Sequence, residues 1–216
     1  MSKKIMFNDK FDLTQAVLEG RKTMTRRICK YDRPDESWDI VFPVFKSKDY
    51  DSKGNLISPL FGAFGWENKD GDFTGWNNPL YKVGEVVAIA QSYESIYNEK
   101  GLETMDMLVS GLKNHKGWQN KLFVSAGKMI HHIRITYIKI ERLQDISDED
   151  CLKEGIIHAY TDNNGIKIYH TPHTKRGYLS TDVAQQAFAA LIDKISGKGV
   201  FQSNPFVFVY EFVLVD

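Results

Sequence analysis

The chain has 216 residues, and its 28 lysine and arginine residues are balanced by 28 aspartate and glutamate residues. It has two cysteines without a CxxC pair, no apolar stretch near its start like that of a signal peptide, and no apolar run long enough to span a membrane. These features argue against a secreted disulfide scaffold and a membrane protein, and we expect a single cytoplasmic domain over residues 1–216 with no membrane partner.

The first predicted helix begins near residue 12. Asp12 is expected to cap it, and Gln15, three residues later, completes a capping box. The apolar face of this helix is predicted to comprise Leu13, Ala16 and Val17. Gly20 stands where a left-handed residue commonly follows a helix, so the helix should end just before it.

A cluster of basic residues follows this helix directly, in the octet Gly20-Arg21-Lys22-Thr23-Met24-Thr25-Arg26-Arg27. From Arg21 to Arg33 the chain has six lysine or arginine residues and a single acidic residue, Asp32. Such a local concentration of positive charge suits an anionic or nucleotide-like partner. A solvated basic turn has the same composition, so charge alone leaves both interpretations open. The octet is expected to form a turn or the start of a strand.

Residues 34–80 differ in composition from the rest of the chain. Five glycines interrupt a series of aromatic residues that comprises Trp38, Phe42, Phe45, Phe61, Phe64, Trp66, Phe73 and Trp76. This pattern predicts an insertion of loops and short hairpins. Its aromatic side chains either cover a small satellite core beneath a long loop or stack on nucleic-acid bases.

Two strands are predicted after this insertion. The apolar run Val86-Val87-Ala88-Ile89-Ala90 is typical of a buried strand. Residues 130–143 alternate between apolar and polar side chains, but the phase of the alternation slips before Ile138, which indicates a β-bulge. His131 and His132 open this strand and face opposite ways, so the two cannot easily hold one metal ion together.

A second short helix is predicted between Ser147 and Glu154. Ser147 and Asp150 form a capping box, and Gly155 suits the C-terminal cap. Glu154 lies at the helix end where a carboxylate is disfavoured by the helix dipole. It would therefore gain from a nearby cation, although an exposed glutamate without a role is the alternative.

The remaining elements are a loop, a helix and a strand. Residues 157–180 are predicted to form a flexible polar loop, a candidate flap over a ligand, in which Pro172 between His170 and His173 argues against a metal site. An apolar stripe from Ala184 to Ile195 predicts a packed helix, and the apolar run from Phe206 predicts a central strand. Helices among strands without regular β-α-β alternation predict an α+β fold with a curved sheet.

Three blocks of the sequence resemble the ASCH domain family. The basic octet is similar to the family signature Gly-Arg-Lys-Thr-x-Thr-x-Arg. The second block runs from Leu143 to Ile156 and the third from Asn204 to Phe212, in the family's order. The resemblance, which extends to phage and bacterial ASCH proteins, implies a PUA-like curved β-barrel with a few packed helices. Where many relatives have an Arg-Glu-Thr-Trp-like segment, this chain has Ala90-Gln91-Ser92-Tyr93.

The resemblance also implies a function and a set of site residues. Proteins of this fold are linked to recognition of RNA or modified nucleotides, and a small bacterial branch is implied to hydrolyse N4-acetylcytidine to cytidine and acetate. Matching that branch residue by residue gives Lys22, Thr25 and Glu154 as catalytic residues. The other charged and hydroxyl residues of the octet become candidates for binding nucleic acid or ligand: Arg21, Thr23, Arg26 and Arg27. No metal and no cofactor is implied.

The implied chemistry assigns one role to each catalytic residue. Lys22, crowded by like charges, is expected to be the base that takes the proton of the Thr25 hydroxyl, which attacks the amide carbonyl. Glu154 would pass a proton to the leaving amine, and an arginine or a backbone N–H would stabilise the oxyanion. Because positions 22 and 25 of a regular strand face opposite sides, the backbone must bulge or turn between them.

The sequence thus leaves two main hypotheses for function. The first is a metal-independent amidohydrolase of acylated pyrimidine nucleosides such as N4-acetylcytidine. The second is a non-catalytic module that binds RNA or a modified base through the basic octet and the aromatic insertion. A phage-type accessory protein that has lost the activity of this site is a third. The first hypothesis predicts that Lys22 and Glu154 approach within about 4 Å of each other in a concave site.

Overall fold

A computed structural model of the chain describes residues 3–30, 32–54, 58, 60–101, 106–172 and 177–215, without the side chains of residues 106–109. The strands in these ranges are β1 (Lys4–Ile5), β2 (Met24–Ile28), β3 (Asp39–Val41), β4 (Gly65–Glu67), β5 (Val86–Ile89), β6 (His132–Arg142), β7 (Ile157–Thr161), β8 (Lys167–His170), β9 (Ser180–Thr181) and β10 (Phe206–Leu214). The helices are α1 (Leu13–Leu18), α2 (Tyr93–Glu99), α3 (Asp106–Lys113), α4 (Asp148–Lys153), α5 (Ala184–Ser196) and α6 (Val200–Ser203). No helix in these ranges has the length and apolar character needed to cross a bilayer.

The principal sheet has five strands in the order β1-β5-β6-β10-β2. The pair β1–β5 is parallel and the other pairs are antiparallel, so the sheet is mixed and the predicted α+β class is confirmed. The predicted strand at Val86 is β5, in which Val87, Ala88 and Ile89 are buried. The strand that begins at Phe206 is β10, and its predicted central position is confirmed because it lies between β6 and β2.

A β-bulge bends β6 where the sequence predicts one. Glu211 of β10 pairs with Tyr137 and the next residue, Phe212, pairs with Ile135, so Thr136 has no partner across this pair of strands. A bulge increases the local twist and curvature of a sheet. The two edges of the sheet also approach each other, since the Arg27 side chain on β2 donates a hydrogen bond of 2.6 Å to the Met6 carbonyl just after β1. A side chain of one edge strand thus reaches the backbone beside the other edge strand.

The predicted helix faces are confirmed, but the predicted cap of α1 is wrong. Helix α5 buries four residues of its apolar stripe, Ala184, Ala187, Phe188 and Leu191, and α1 buries Leu13, Ala16 and Val17. Gly20 has a φ of 73°, as expected for the residue after a helix. Asp12, however, has a φ of 56° and makes no side-chain cap. A preceding turn of 3-10 helix, Asp9–Phe11, is capped instead by Asn8, and Asp12 is the left-handed residue that ends this turn.

The insertion at residues 34–80 contains a short two-stranded antiparallel sheet, β3–β4. Phe64 and Trp66 from this insertion are fully buried against Phe206 and Phe208 of β10. For these two residues the predicted satellite core is wrong, because their rings belong to the main core. Other aromatic side chains of the insertion are exposed, among them Phe42, Phe61 and Phe73.

The prediction of a loop over residues 157–180 is wrong, because this segment contributes to a three-stranded antiparallel sheet, β7-β8-β9. The polar residues between β7 and β8 form a hairpin turn rather than part of a long loop. In this turn the Asp162 carboxylate accepts hydrogen bonds from the N–H groups of Asn164 and Ile166, and Gly165 has a φ of 82°. His173, named in the sequence-based argument about a metal site, lies outside the described residues.

Candidate active site

An open cleft of about 420 Å³ lies where several parts of the chain meet. Its walls come from residues 6–10 and Leu13, from Lys22 and the middle of β2, from the residue after α4, from α5 and from Lys121. Lys22, Thr25 and Glu154 all line it, together with Arg26 and Arg27. The three residues with implied catalytic roles are thus in one cleft.

Backbone hydrogen bonds hold Lys22 outside the regular strand. The Lys22 N–H donates to the carbonyl of Ala16 in α1 at 2.9 Å, and the Thr23 N–H donates to the carbonyl of Lys153 at 3.0 Å. Strand β2 begins only at Met24. The rule that positions 22 and 25 face opposite sides applies within a strand, so it does not separate Lys22 from Thr25 here.

Lys22 and Glu154 form a buried ion pair, as predicted. The Lys22 ammonium donates to Oε2 of Glu154 at 2.6 Å and to the Glu154 carbonyl at 2.8 Å, and the two side chains are 2% and 7% exposed. Glu154 is the C-cap of α4, and Gly155 after it has a φ of 104°. The cation therefore satisfies both the carboxylate and a helix-end carbonyl, which removes the disadvantage of a glutamate at this position.

Burial is the main influence on the pKa of Lys22. Removal of the ammonium from water lowers the pKa of Lys22 below its usual 10.5, whereas the adjacent Glu154 carboxylate opposes this change. Arg27 and Arg26 act in the same direction as burial. The sequence-based argument attributed the effect to like charges alone, but desolvation is the larger cause. The site therefore favours the free amine of Lys22 more than water does.

Arg26 is surrounded by carboxylates rather than open to a ligand. Its side chain is 1% exposed and contacts Glu141 at 2.6 Å, Asp150 at 2.8 Å and Glu154 at 3.2 Å. Lys139 joins the same network through Glu141 and Asp150. Arg26 thus fixes the second oxygen of Glu154 while Lys22 binds the first, so both oxygens of this carboxylate are held in place.

Thr25 presents its hydroxyl to this cleft from β2, where its backbone pairs with Tyr210 of β10. The residue is 5% exposed. No hydrogen bond joins the Thr25 hydroxyl to any residue that the structure describes, and in particular none joins it to Lys22. The hydroxyl is therefore available to a bound ligand, and proton transfer to Lys22 requires that the two side chains approach each other or that a water bridges them.

The other sequence-predicted binding residues divide into two groups. Arg27 lines the cleft, but Arg21 and Thr23 do not. The Arg21 side chain is exposed and forms ion pairs with Glu19 at 2.5 Å and Asp12 at 3.4 Å. Thr23 contributes backbone groups to the junction of β2 with α4 and β10. Arg27 is the member of the octet best placed to meet a ligand from solvent.

Several residues that line this cleft were not predicted. Lys121 lies at one side, where its ammonium contacts the Asp9 carboxylate at 2.7 Å and the Phe7 carbonyl at 2.6 Å. Helix α5 supplies an apolar wall of Phe188, Leu191, Ile192 and Ile195. The stripe on α5 was predicted as core, and periodicity alone does not reveal which part of such a stripe meets a cleft. Lys121 had no motif to indicate its role.

The described residues include no group of three or more His, Cys, Asp or Glu side chains arranged as they would be around a metal ion. The imidazole of His131 contacts Glu99, in a groove next to the cleft. Comparisons of the chain with protein-family models, with curated proteins and with solved structures found no match.

Proposed function

We propose that this protein is an amidohydrolase that removes the acyl group from acylated pyrimidine nucleosides such as N4-acetylcytidine. The observation that supports this proposal is the buried Lys22–Glu154 pair in the same cleft as the Thr25 hydroxyl. Many buried ion pairs have only a structural role, but a structural role does not account for a threonine hydroxyl without a hydrogen bond in the same cleft. A base, a nucleophile and a proton donor are the groups that amide hydrolysis requires.

In the first half of the proposed reaction, Thr25 attacks the amide carbonyl. The Lys22 ammonium first passes a proton to the Glu154 carboxylate across their hydrogen bond, which leaves Lys22 as an amine and Glu154 as an acid. Burial lowers the pKa of Lys22 and so favours this amine form. The amine takes the hydroxyl proton as the new C–O bond forms, which gives a tetrahedral oxyanion. The oxyanion requires a donor, and the N–H groups of Arg26 are engaged by carboxylates.

In the second half, the C–N bond breaks and the exocyclic amine leaves with the proton held by Glu154. Lys22 again passes a proton to Glu154, water attacks the acyl-threonine ester, and the Lys22 amine accepts a proton from that water. Collapse of this second intermediate releases the carboxylic acid, the Thr25 oxygen recovers its proton from Lys22, and Glu154 returns its proton to Lys22. One amide and one water are consumed, and one amine and one carboxylic acid are formed, without redox change.

The dimensions and polarity of the cleft suit a small amphiphilic substrate. Its volume of about 420 Å³ falls within the range of about 300–1,000 Å³ that is usual for small-molecule sites. The lining combines ionic side chains with the apolar side chains of α5. A pyrimidine ring or an acyl methyl group can pack on this wall while the amide meets Thr25.

The proposal includes the fold that the family resemblance implies, a PUA-like β-barrel of the ASCH type. Support comes from the bulge at Thr136, which increases the local curvature of a sheet, and from the contact of Arg27 with Met6 between the edges of the five-stranded sheet.

A non-catalytic module that binds RNA or a modified base is the second candidate. The exposed rings of Phe42, Phe61 and Phe73 favour it, because exposed aromatic side chains can stack on bases. The ion pairs of Arg21 and Arg26 argue against binding of a nucleic-acid strand. Its phosphate groups would have to compete with the carboxylates that already pair with both arginines.

The proposal is tested by incubating the purified protein with N4-acetylcytidine and measuring the acetate released. We expect release without added metal and an unchanged rate with a chelator, because side chains supply the base, the nucleophile and the acid. Thr25→Ala should abolish turnover and change the free energy of unfolding by no more than about 1 kcal/mol. Lys22→Arg should also be inactive, because a guanidinium does not act as a base near neutral pH.

The matched control is Thr161→Ala. It removes an exposed hydroxyl on β7 that does not line the cleft, so the variant should retain full turnover. Turnover by Thr25→Ala or Lys22→Arg would show that the nucleophile or the base is assigned wrongly. Failure of the wild type on a panel of acylated nucleosides, together with salt-dependent binding of single-stranded RNA, would favour the binding module instead.

A further inference from the structure

We infer that the cleft takes its substrate in phosphorylated form, as an acylated nucleotide whose phosphate is bound by Arg27 and Lys10. This inference rests on the proposed function, because it concerns the same cleft. It goes further in naming the charge of the substrate and the two residues that recognise it. Both residues line the cleft but have no part in the proposed proton transfers.

The charges of the buried network at the base of this cleft balance one another. Three cations are joined by contacts of 2.6–3.3 Å to three carboxylates, and the members are Lys22, Arg26, Lys139, Glu141, Asp150 and Glu154. Their formal charges sum to zero. This network therefore gives the cleft no net attraction for an anion, even though it contains two residues of the basic octet.

The charges nearer the opening do not balance. Lys121 is paired with Asp9, which cancels one further cation. Neither Arg27 nor Lys10 has an ion pair with any carboxylate of the described residues. The lining of the cleft thus has two positive charges that are not compensated locally, and a cleft with low-dielectric walls focuses such a potential on its contents.

Arg27 is better suited than a mobile surface cation to hold a phosphate. It is half-buried on β2, and its bond to the Met6 carbonyl fixes the guanidinium through one nitrogen. The other N–H groups of the guanidinium remain as donors for a ligand, and their planar arrangement matches the spacing of phosphate oxygens. Lys10 lines the same cleft four residues after Met6, and its ammonium is a flexible point charge.

The number of uncompensated cations favours a single phosphate over a nucleic-acid strand. A phosphate monoester has about two negative charges at neutral pH, so Arg27 and Lys10 can neutralise one such group. Binding of a strand requires a row of cations along a groove. Arg21, which would extend the row along the octet, is outside the cleft and is paired with acids. With Arg27 bound to phosphate, the oxyanion would be stabilised by a backbone N–H.

The test is a binding measurement that does not depend on turnover. Thr25→Ala protein is titrated by calorimetry with N4-acetylcytidine 5′-monophosphate and, separately, with N4-acetylcytidine. We expect the nucleotide to bind at least about tenfold more tightly, since charge-assisted hydrogen bonds to phosphate are strong. Adding Arg27→Gln should remove most of this difference, and adding Lys10→Gln should remove a smaller part of it.

Arg134→Gln, which neutralises an exposed arginine of β6, is the matched control and should leave the difference unchanged. Lys10 is exposed, so its variant tests the inference even where Arg27→Gln fails to fold. Equal affinity for both ligands, or a difference that survives both substitutions, overturns the inference. So does an affinity for single-stranded RNA that rises with its length beyond that of the mononucleotide. Tight, Arg27-dependent binding of a nucleotide that wild-type protein does not hydrolyse would contradict the proposed activity but uphold the phosphate site.

Discussion

The substitution Glu154→Gln tests the buried ion pair directly. It keeps the size and shape of the side chain but removes the charge that faces the Lys22 ammonium at 2.6 Å. Removing one member of a buried pair costs about 3–5 kcal/mol, because the other charge remains without compensation. Arg26 keeps its contacts with Glu141 and Asp150, so most of this cost falls on Lys22.

The variant has one way to limit this cost, which is to fold with Lys22 as the free amine. At pH 7 that costs about 5 kcal/mol, from about 1.36 kcal/mol for each pH unit below the usual pKa of 10.5. The two estimates are similar, so we expect a loss of about 3–5 kcal/mol in either case. If the variant folds with Lys22 as the free amine, its unfolded chain binds one more proton than its folded chain. The free energy of unfolding of the variant should then rise with pH until about pH 10.5.

The assay is urea denaturation of the wild type and of the Glu154→Gln variant between pH 7 and pH 10. Glu149→Gln is the matched control, because Glu149 lies on the same helix and pairs with Lys153 but is 78% exposed. The control should change the free energy of unfolding by less than about 0.5 kcal/mol. A loss below about 1 kcal/mol for Glu154→Gln at pH 7 would refute the description of this pair as buried.

Two further predictions concern the surroundings of the site. Gly155→Ala should lower the free energy of unfolding by about 2–3 kcal/mol, because its φ is 104° and an added Cβ would lie 3.1 Å from Leu13. Gly20→Ala should cost only about 1–2 kcal/mol, since no atom lies within 4 Å of its added Cβ, and urea denaturation compares the two. Burial raises the pKa of Cys29 and Cys151 to about 12. Neither thiol should therefore react with a thiol reagent at pH 8 until urea unfolds the protein, and labelling of native protein would contradict their burial.

The features that were predicted correctly from the sequence are those encoded by a few neighbouring residues. The Ser147 hydroxyl accepts a hydrogen bond from the Asp150 N–H at 3.1 Å, as the capping pattern indicates. Gly155 takes a positive φ because only glycine does so readily at a helix end. Successive residues of a strand face opposite sides of the sheet, so the change of phase in β6 indicates the bulge at Thr136. In all three cases the chemistry that decides the conformation is local.

The partners of Arg26 could not be predicted from neighbouring residues of the sequence. The octet was interpreted as a group of cations without acids, because only residues close in sequence were compared. Glu141 and Asp150 lie 115 and 124 residues away along the chain. Glu141 reaches Arg26 through the strand order, which places β10 between β6 and β2, and Asp150 reaches it from helix α4. No local pattern predicts that order, so the neutralisation of Arg26 could not be found from the sequence.

The position of β10 also determines when the site can form during folding. In the sheet that the structure describes, β2 has β10 as its hydrogen-bonded neighbour, and β2 presents Thr25 to the cleft. Contacts between segments so distant in sequence form slowly, because closing the intervening chain costs entropy before pairing compensates for it. A chain shortened before Phe206 would contain Lys22, Thr25 and Glu154 but would have no strand to hold β2. Ligand binding should therefore recover in the last phase of refolding, which makes it a measure of complete assembly of the sheet.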